Sequence, residues 1–291
     1  MAIDAGGSWL PALALLTNAL IWGVSWWPFR QLEARGLHPL WATVMIYAVA
    51  VAAITLWRRG AWTQLLRTPT LWVLVLAAGT TNATFNWGVT VGDVVRVVLL
   101  FYLMPLWAVL LARLLLGEPL TTGAGLRVAL ALAGAAVVLQ PDGGGWPLPR
   151  SLAEWLGVVG GFSFALNNVM LRREAHRPEA ARALAMFLGG ALVAGALAVV
   201  LAVHGTVPAL PAPAFGWVAG SVAMAVAFLA GNLALQYGAA RLPANVTAVV
   251  MVTEVLFASG SAVLLGAGTL TPPLLLGGAL IIGATLLSAR G

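Results

Sequence analysis

Three kinds of residue are absent or scarce in this 291-residue sequence. It has no cysteine, which excludes disulfides, thiol catalysis and metal sites built from cysteine. All fifteen basic residues are arginine, so lysine is absent. Charged residues make up only 8% of the chain, whereas soluble domains average about a quarter. With 61% hydrophobic residues, this composition predicts an integral membrane protein.

Catalytic signatures are also missing. The sequence has no HExxH, GxSxG or phosphate-binding loop and no paired intramembrane aspartates, and its three histidines fall in loops or at the edges of apolar runs. We therefore expect no enzyme activity, no metal and no cofactor. The net charge of +6 comes mainly from arginines between the apolar runs, so membrane topology accounts for it and nucleic acid is not an expected partner. The segment before Trp9 carries Asp4 and no positive charge, which does not fit a cleaved signal peptide.

Ten apolar runs are long enough, or nearly so, to cross a bilayer. They predict an all-α membrane protein with spans at about 9–28, 39–57, 70–90, 97–116, 123–140, 152–171, 182–203, 214–236, 245–266 and 272–289. The segment 141–151 divides the chain into halves at 1–140 and 152–291, each with five spans.

A hairpin of two apolar runs ends each half. The run through Gly117 and the run that follows it return 149 positions later, where Gly266 takes the place of Gly117 and Gly283-Ala284 that of Gly134-Ala135. This recurrence indicates a duplicated five-helix unit. Because five is odd, the two units must have opposite orientations in the membrane. Such inverted repeats surround a central site in many secondary transporters.

The arginines also predict the orientation. One set of loops, with the C-terminal tail, holds Arg58, Arg59, Arg67, Arg172, Arg173, Arg177, Arg241 and Arg290, and the other set holds Arg30, Arg35, Arg96 and Arg150. Cytoplasmic loops carry the excess of positive charge. We therefore expect both termini in the cytoplasm and a bacterial-type inner (plasma) membrane as the location.

Side-chain amides recur in spans that correspond between the halves. Asn82 and Asn86 lie one turn apart in the third span, and Asn232 and Gln236 do so in the eighth. Asn167 and Asn168 lie in the sixth span, which corresponds to the first, where Asn18 is found. Amides also link membrane helices by hydrogen bonds, and that explanation is about as strong for any single residue. Their recurrence favours a lined central cavity.

Tryptophans fall into two groups. Most lie near the ends of spans, where the aromatic belt at the membrane interface explains them. Trp22, Trp26, Trp87 and Trp107 lie deeper. These four either pack the bundle or line a pocket for a flat apolar ligand.

Glu254 is the acidic residue placed clearly inside a span. A carboxylate at the bilayer centre is costly, so it usually faces a protein interior or a water-filled cavity. Glu254 is a candidate proton carrier or counter-charge for a substrate amine. The alternative is a neutral acid that ties helices together by hydrogen bonds.

Short motifs resemble the EamA-like branch of the drug/metabolite transporter (DMT) superfamily. They are Trp22-Gly23, the hairpin from Pro105 through Leu116-Gly117-Glu118, and Ala234-Leu235-Gln236-Tyr237. Two positions depart from the family pattern, since Val255 rather than proline follows Glu254 and Ala267 replaces the second hairpin glutamate. The tryptophan-rich first span and the length are similar to YddG-type exporters of aromatic amino acids.

The resemblance implies ten helices around a central cavity lined by spans 1–4 and 6–9, and export of small metabolites by alternating access. The expected substrates are aromatic and other hydrophobic amino acids; a multidrug or other hydrophobic-metabolite exporter is the alternative. A membrane-embedded lipid enzyme and a non-transporting scaffold are weaker hypotheses. The candidate substrate-binding residues are Trp22, Trp26, Asn82, Asn86, Trp87, Tyr102, Trp107, Phe164, Asn167, Asn168, Asn232 and Gln236. Glu254 joins them as the proton or counter-charge candidate, and the bilayer and a small molecule are the expected partners.

Overall fold

A computed structural model describes residues 9–117, 119, 121–140, 146–239, 241–242 and 250–288. Within these ranges the chain is helical and contains no strand. The helices of the first half are α1 (Leu10–Val24), α2 (Trp26–Glu33), α3 (Pro39–Trp57), α4 (Gly60–Arg67), α5 (Pro69–Val91), α6 (Val94–Phe101), α7 (Met104–Leu116) and α8 (Thr122–Leu139). Those of the second half are α9 (Leu152–Arg173), α10 (Glu179–Val203), α11 (Phe215–Ala239), α12 (Thr253–Leu264) and α13 (Pro272–Ser288).

Six helical segments are long and apolar enough to cross a membrane among the described residues. They are Leu10–Glu33, Pro39–Trp57, Val94–Leu116, Thr122–Leu139, Glu179–Val203 and Phe215–Leu235. α12 and α13 are shorter apolar helices. α5 and α9 are long but richer in polar residues, and α5 is buried along most of its length. α5 therefore lies inside the bundle. The six long apolar helices support an integral membrane protein.

Two predicted boundaries differ from the structure. The first span was expected to end at Pro28, but α2 continues to Glu33. Proline is tolerated there because Pro28 lies in the first turn of α2, where a backbone N–H has no partner within the helix. The predicted loop at 58–69 contains the short helix α4, whose Ala61 and Leu65 are buried against the bundle.

Helix ends follow local sequence signals. Asp93 begins α6 by accepting a hydrogen bond from the backbone N–H of Arg96. Ser151 and Glu154 form a capping box at the start of α9. Gly117 ends α7 in the left-handed conformation, with φ of 70°, and Gly266 follows α12 with φ of 67°. Glycine reaches this conformation without steric cost, and the two residues are 149 positions apart.

Several spans are interrupted in the middle. α1 gives way to α2 at Ser25, whose N–H and hydroxyl both donate to the carbonyl of Trp22. α6 gives way to α7 at Tyr102 and Leu103, and a turn at Val252 precedes α12. Interrupted helices free backbone groups and create room at membrane depth, as in the broken helices of transporters.

The helices pack mainly across the two halves of the chain. α5 packs against α9 and α10, and α3 packs against α10 and α11. α1 packs against α11 and α12, α6 and α7 pack against α9, and α8 packs against α13. Glycines permit the closest crossings, notably Gly79 against Gly189 and Gly134 against Gly277. Most of these contacts therefore join a helix of one half to a helix of the other.

A charged cluster joins the loops at one end of the bundle. The side chain of Arg96 forms an ion pair with Glu154, with 2.9 Å between Nε and Oε1, and donates to the carbonyl of Val138. The carboxylate of Asp93 accepts from the backbone N–H of Thr269 at 3.2 Å. These contacts link α6 of the first half to α9 and to the α12–α13 loop of the second. A cavity lies beside these contacts and is lined in part by Asp93, Arg96 and Glu154.

Candidate functional site

A cavity of about 140 Å³ lies in the middle of the bundle. Its walls come from α1, α3, α5, α6, α9, α10, α11 and α12, together with the interruptions after α6 and before α12. Both halves of the chain therefore contribute to it. An engineered cavity of similar size, about 150 Å³, holds benzene in another protein, so this one is large enough for a single aromatic ring.

Seven of the predicted site residues line this one cavity. They are Trp22, Asn82, Tyr102, Phe164, Asn167, Asn232 and Glu254. The structure thus brings together side chains that are up to 232 positions apart in the sequence. They combine amides, aromatic rings and one carboxylate, which are the groups expected around an amphipathic molecule.

Asn18 and Asn167 are two cavity residues that the interval of the hairpin repeat relates. They are 149 positions apart, the same interval as the hairpin repeat, and both are almost fully buried and line the cavity. The amide nitrogen of Asn18 donates to the carbonyl of Gly231 at 2.8 Å, and that of Asn167 contacts Oδ1 of Asn168 at 3.5 Å. Neither Oδ1 atom has a hydrogen-bond partner among the described residues.

Glu254 lies beside the interruption between α6 and α7. The Tyr102 hydroxyl donates to Oε2 of Glu254, with 3.3 Å between the oxygens. Tyr102 is buried, whereas Glu254 keeps part of its surface open in the cavity. α12 can approach α1 here because Gly23 has no side chain: a methyl group at that position would lie 2.8 Å from the Glu254 carbonyl oxygen. The backbone of Glu254 is therefore packed closely against α1, and its carboxylate lies at the cavity with the Tyr102 hydroxyl as a hydrogen-bond partner.

Aromatic rings form two groups on the cavity wall. Trp22 stacks on Phe228, with ring centroids 4.4 Å apart and planes 15° apart. Phe101 lies between Phe85 and Phe164, at centroid distances of 4.7 and 5.1 Å. Ring pairs at these distances attract each other. Together they give the cavity two extended apolar faces.

The two hydroxyls on the α3–α5 side of the cavity and one N–H of Asn82 donate to protein oxygens. The Tyr47 hydroxyl donates to Oδ1 of Asn82, and the Asn82 amide donates to the carbonyl of Ala78. The Thr81 hydroxyl donates to the carbonyl of Ala77. This wall is polar, and its hydroxyl hydrogens are used in bonds within the protein.

Two deep tryptophans of the predicted set lie outside the cavity wall. Trp26 is buried and donates from Nε1 to the Ser261 hydroxyl at 2.9 Å, so it joins α2 to α12. Trp107 packs against Phe162 in an edge-to-face pair with centroids 5.5 Å apart. Both residues belong to or border the hydrophobic core around α6 and α12. They pack the bundle, which is the alternative that their sequence positions left open.

Asn86, Asn168 and Trp87 of the predicted set also lie away from the cavity. Asn86 is fully buried and donates to the Thr43 hydroxyl at 3.1 Å. Trp87 packs edge-to-face against His38, with ring centroids 5.3 Å apart. His38 lies in the loop before α3, and burial lowers the pKa of its imidazole. Asn168 does not line the cavity, although its neighbour Asn167 does. The side chain of Gln236 lies outside the described residues.

Several cavity residues were not selected from the sequence. They include Asn18, Tyr47, Phe85, Phe101 and Phe228. The repeat interval would have found Asn18, because adding it to position 18 gives Asn167. Phe228 has apolar neighbours on both sides, so its local pattern does not separate it from lipid-facing phenylalanines. Phe85 lies between Thr84 and Asn86 and Phe101 precedes Tyr102, so neighbouring polar residues were the available signal for these two.

Comparison with known proteins places these features in context. A solved crystal structure aligns with 96% of this chain and 96% of its own, with a TM-score of 0.60 and 17% identity, and so supports the fold alone. No match was found among curated protein sequences. Residues 9–140 match the EamA-like transporter family. The comparisons therefore support an EamA-like transporter domain in the first half of the chain.

Proposed function

We propose that this protein is a secondary transporter that exports small amphipathic metabolites by alternating access. The observation that carries the proposal is the cavity at the centre of the bundle, which both halves build and which lies at helix interruptions. A membrane transporter needs such a site near the middle of its spans. The EamA-like match in residues 9–140 agrees with it. A packed scaffold would have no ligand-sized cavity, and a lipid enzyme would need reactive groups beyond one carboxylate.

The proposed architecture is ten spans in two inverted five-helix repeats. Pairing α1–α2 and α6–α7 as single spans gives five spans in the described first half, ending with α8. Exchanging the two halves then converts the α5–α9 contact into the α11–α1 contact, and the α10–α5 contact into the α3–α11 contact. It also converts the contact of α6 and α7 with α9 into that of α12 with α1. This correspondence supports an internal two-fold relation.

Alternating access would use the charged cluster at one end of the bundle. The Arg96–Glu154 ion pair and the Asp93–Thr269 hydrogen bond connect the two halves. Opening the cavity toward that end would separate these partners. Rocking of the halves in the opposite direction would re-form the two contacts. In this proposal the two contacts close that end of the cavity until the halves rock apart.

The proposed orientation places both termini in the cytoplasm of a bacterial-type inner membrane. Single cysteines at Gly6 and Gly291 should then react with a membrane-impermeant maleimide only after the cytoplasmic face is exposed. The cysteine-free sequence provides a background without reaction. In intact cells, a cysteine placed at Trp146 in the linker is the control that should react from outside. Labelling of Gly6 and Gly291 variants in intact cells would contradict this orientation.

The proposed substrates are aromatic and other hydrophobic amino acids, with hydrophobic drugs as the second candidate class. The aromatic faces and the ring-sized volume favour a substrate with a flat apolar side chain, because stacking adds about 0.5–1.5 kcal/mol beyond area burial. Proteoliposomes should take up radiolabelled phenylalanine, and an excess of unlabelled aromatic amino acids should reduce that uptake more than an excess of serine or glutamate. Uptake that amino acids do not affect, while hydrophobic drugs compete, would favour the second class.

A further inference from the structure

The short helix α4 has a buried face and an exposed face. Ala61 and Leu65, which are one helical turn apart, lie on the buried face. They pack into a hydrophobic cluster with Leu74 of α5, Met170 of α9 and Leu184 of α10. These contacts hold α4 against the end of the bundle, so its other face is left at the surface.

The exposed face of α4 continues the surface of the last turn of α3. Nε1 of Trp62 donates to the Thr55 hydroxyl at 2.9 Å, so α4 folds back beside the end of α3. Leu66 of α4 is 65% exposed, and Trp57 at the end of α3 is 78% exposed. Tryptophan is enriched at the membrane interface, and an amphipathic helix there buries its apolar side chains among the lipids. We therefore expect Trp57 and Leu66 to contact lipid where α3 leaves the membrane.

Three exposed arginines flank these two side chains in the sequence. Arg58 and Arg59 lie between Trp57 and α4, and Arg67 is the last residue of α4. The segment 55–71 contains no acidic residue. Because Arg59 and Arg67 stand at the two ends of α4, they are roughly 12 Å apart along its axis. The positive charge is therefore spread along α4, and no acidic residue of the same segment neutralises it.

The end of α9 and the start of α10 add arginines at the same end of the bundle. Met170, in the last turn of α9, packs in the cluster that buries α4. The segments 58–67 and 172–182 together hold seven arginines, three in the first and four in the second, against two glutamates. One of these glutamates, Glu174, is buried, with its Oε2 atom 3.4 Å from Nε of Arg177. An excess of positive charge therefore remains around α4.

We propose that this end of the bundle carries a docking surface for anionic phospholipids, which we call the α4 surface. It consists of the exposed apolar residues Leu56, Trp57 and Leu66 and the exposed arginines Arg58, Arg59, Arg67, Arg172 and Arg173. A guanidinium can form two parallel hydrogen bonds with a phosphate group. Clusters of four to eight basic residues beside a spanning helix are typical of anionic-lipid binding. The arginines bind the headgroups, and the apolar side chains contact the acyl chains.

The α4 surface is separate from the central cavity, because none of its residues lines that cavity. Lipid binding there does not depend on the proposed transport function. The excess of arginine on one side of the membrane also orients the protein, but orientation alone predicts no preference among lipids. The α4 surface predicts a preference for anionic headgroups.

Thermal unfolding of the purified full-length protein in a neutral detergent tests this preference. A ligand that binds the folded state raises the unfolding temperature. Phosphatidylglycerol should raise it more than phosphatidylcholine with the same acyl chains at the same concentration. Raising NaCl from about 0.1 M to about 1 M should remove most of the difference, because the screening length falls from about 10 Å to about 3 Å. Glycerol 1-phosphate, which has the phosphate group without acyl chains, should not reproduce the effect.

Two variants with the same change in charge locate the effect. Arg59→Gln combined with Arg67→Gln removes two arginines of the α4 surface, and half-maximal stabilisation should then require at least about tenfold more phosphatidylglycerol. Arg35→Gln combined with Arg150→Gln removes two exposed arginines at the opposite end of the bundle and should leave this requirement unchanged. Each variant is compared with its own unfolding temperature without lipid, so a change in basal stability does not affect the result.

A fluorescent label places the bound lipid. The chain has no cysteine, so a bimane label on Leu66→Cys reports on the α4 surface alone. In bilayers made mostly of phosphatidylcholine, a small fraction of brominated phosphatidylglycerol should quench this label more than the same fraction of brominated phosphatidylcholine. Leu264→Cys is the control, because Leu264 is 86% exposed at the end of α12, at the opposite end of the bundle. The two brominated lipids should quench the control label equally.

Any of four results would overturn the proposal. Equal stabilisation by phosphatidylglycerol and phosphatidylcholine, or equal quenching at Leu66→Cys, would show no preference for anionic headgroups. An equal loss in the two arginine variants would assign the effect to the net charge of the protein and not to the α4 surface. Stabilisation by glycerol 1-phosphate equal to that by phosphatidylglycerol would indicate a site for a free phosphate group.

Discussion

Glu254→Gln should reduce transport into proteoliposomes by about tenfold or more while the protein remains folded. Glutamine keeps the size and hydrogen-bonding capacity of the side chain but cannot ionise. Glu254 is the carboxylate of the central cavity and has the Tyr102 hydroxyl as its neighbour. An ionisable group inside a membrane span usually serves function, here as a proton carrier or as the counter-charge of a substrate amine. Loss of an ionic hydrogen bond costs about 1.5–3 kcal/mol, which corresponds to the expected loss of rate.

Two controls separate the roles of Glu254. Glu33→Gln changes a carboxylate on α2 that does not line the cavity, and transport should stay near its original rate. An imposed pH gradient distinguishes the two functional roles. If Glu254 is a proton carrier, wild-type uptake depends on the gradient; if it is a counter-charge, uptake need not depend on the gradient. If Glu254→Gln transports at the wild-type rate with the same pH dependence, Glu254 is a structural acid that an amide can replace.

Gly189→Ala should lower the free energy of unfolding by about 2 kcal/mol or more. Alanine normally stabilises a helix relative to glycine by up to about 1 kcal/mol, so the expected sign is opposite to the helix propensity. The reason is the crossing of α5 and α10, where a methyl group at Gly189 would overlap the carbonyl group of Val75 and crowd the backbone of Gly79. Both obstacles are backbone atoms, and they cannot move without separating the helices. Thermal unfolding in detergent measures the effect.

Gly195→Ala is the matched control for this crossing. It lies on the same helix, and a methyl group there would meet Cγ2 of Val44 at 3.5 Å, an ordinary van der Waals contact. Its unfolding temperature should be unchanged or slightly higher. Equal behaviour of the two variants would mean that α5 and α10 do not cross as closely as the structure places them.

The sequence was sufficient to locate most helices and the central polar residues. Length and apolar composition mark the spans because a bilayer requires long apolar helices with internally satisfied backbones. The sequence repeat pairs Gly117 with Gly266, and in the structure both residues adopt the left-handed backbone conformation at the end of a helix. The alignment of Gly134 with Gly283 has no such counterpart. Gly134 packs against Gly277, whereas a methyl group at Gly283 would meet no atom of the described residues within 4 Å.

The sequence could not determine which deep side chains face the cavity. In a soluble protein the polar face of a helix shows which side faces the solvent. Most of these helices are apolar on all sides, so their sequence pattern does not show which side faces the cavity. Trp22 and Trp26 are one turn apart, yet the first lines the cavity and the second bonds to Ser261 beyond the break at Ser25. Asn82 and Asn86 separate in the same way, because Asn86 lies one turn further along α5, beside Thr43. The depth of a residue in the bundle and the positions of the helix interruptions determine whether it lines the cavity, and both depend on tertiary packing.

The central claim is that the cavity is a transport site that opens alternately to the two sides of the membrane. Reactivity of a single cysteine at Leu235 tests it most directly, because Leu235 lines the cavity and the protein has no other cysteine. Leu233→Cys, on the exposed surface of the same helix, is the lipid-facing control. We predict that a membrane-impermeant thiol reagent modifies the Leu235→Cys variant from either side of the membrane, that transported substrate slows both reactions, and that the control shows no such protection. Modification from one side only, or modification that substrate leaves unchanged, would contradict the claim.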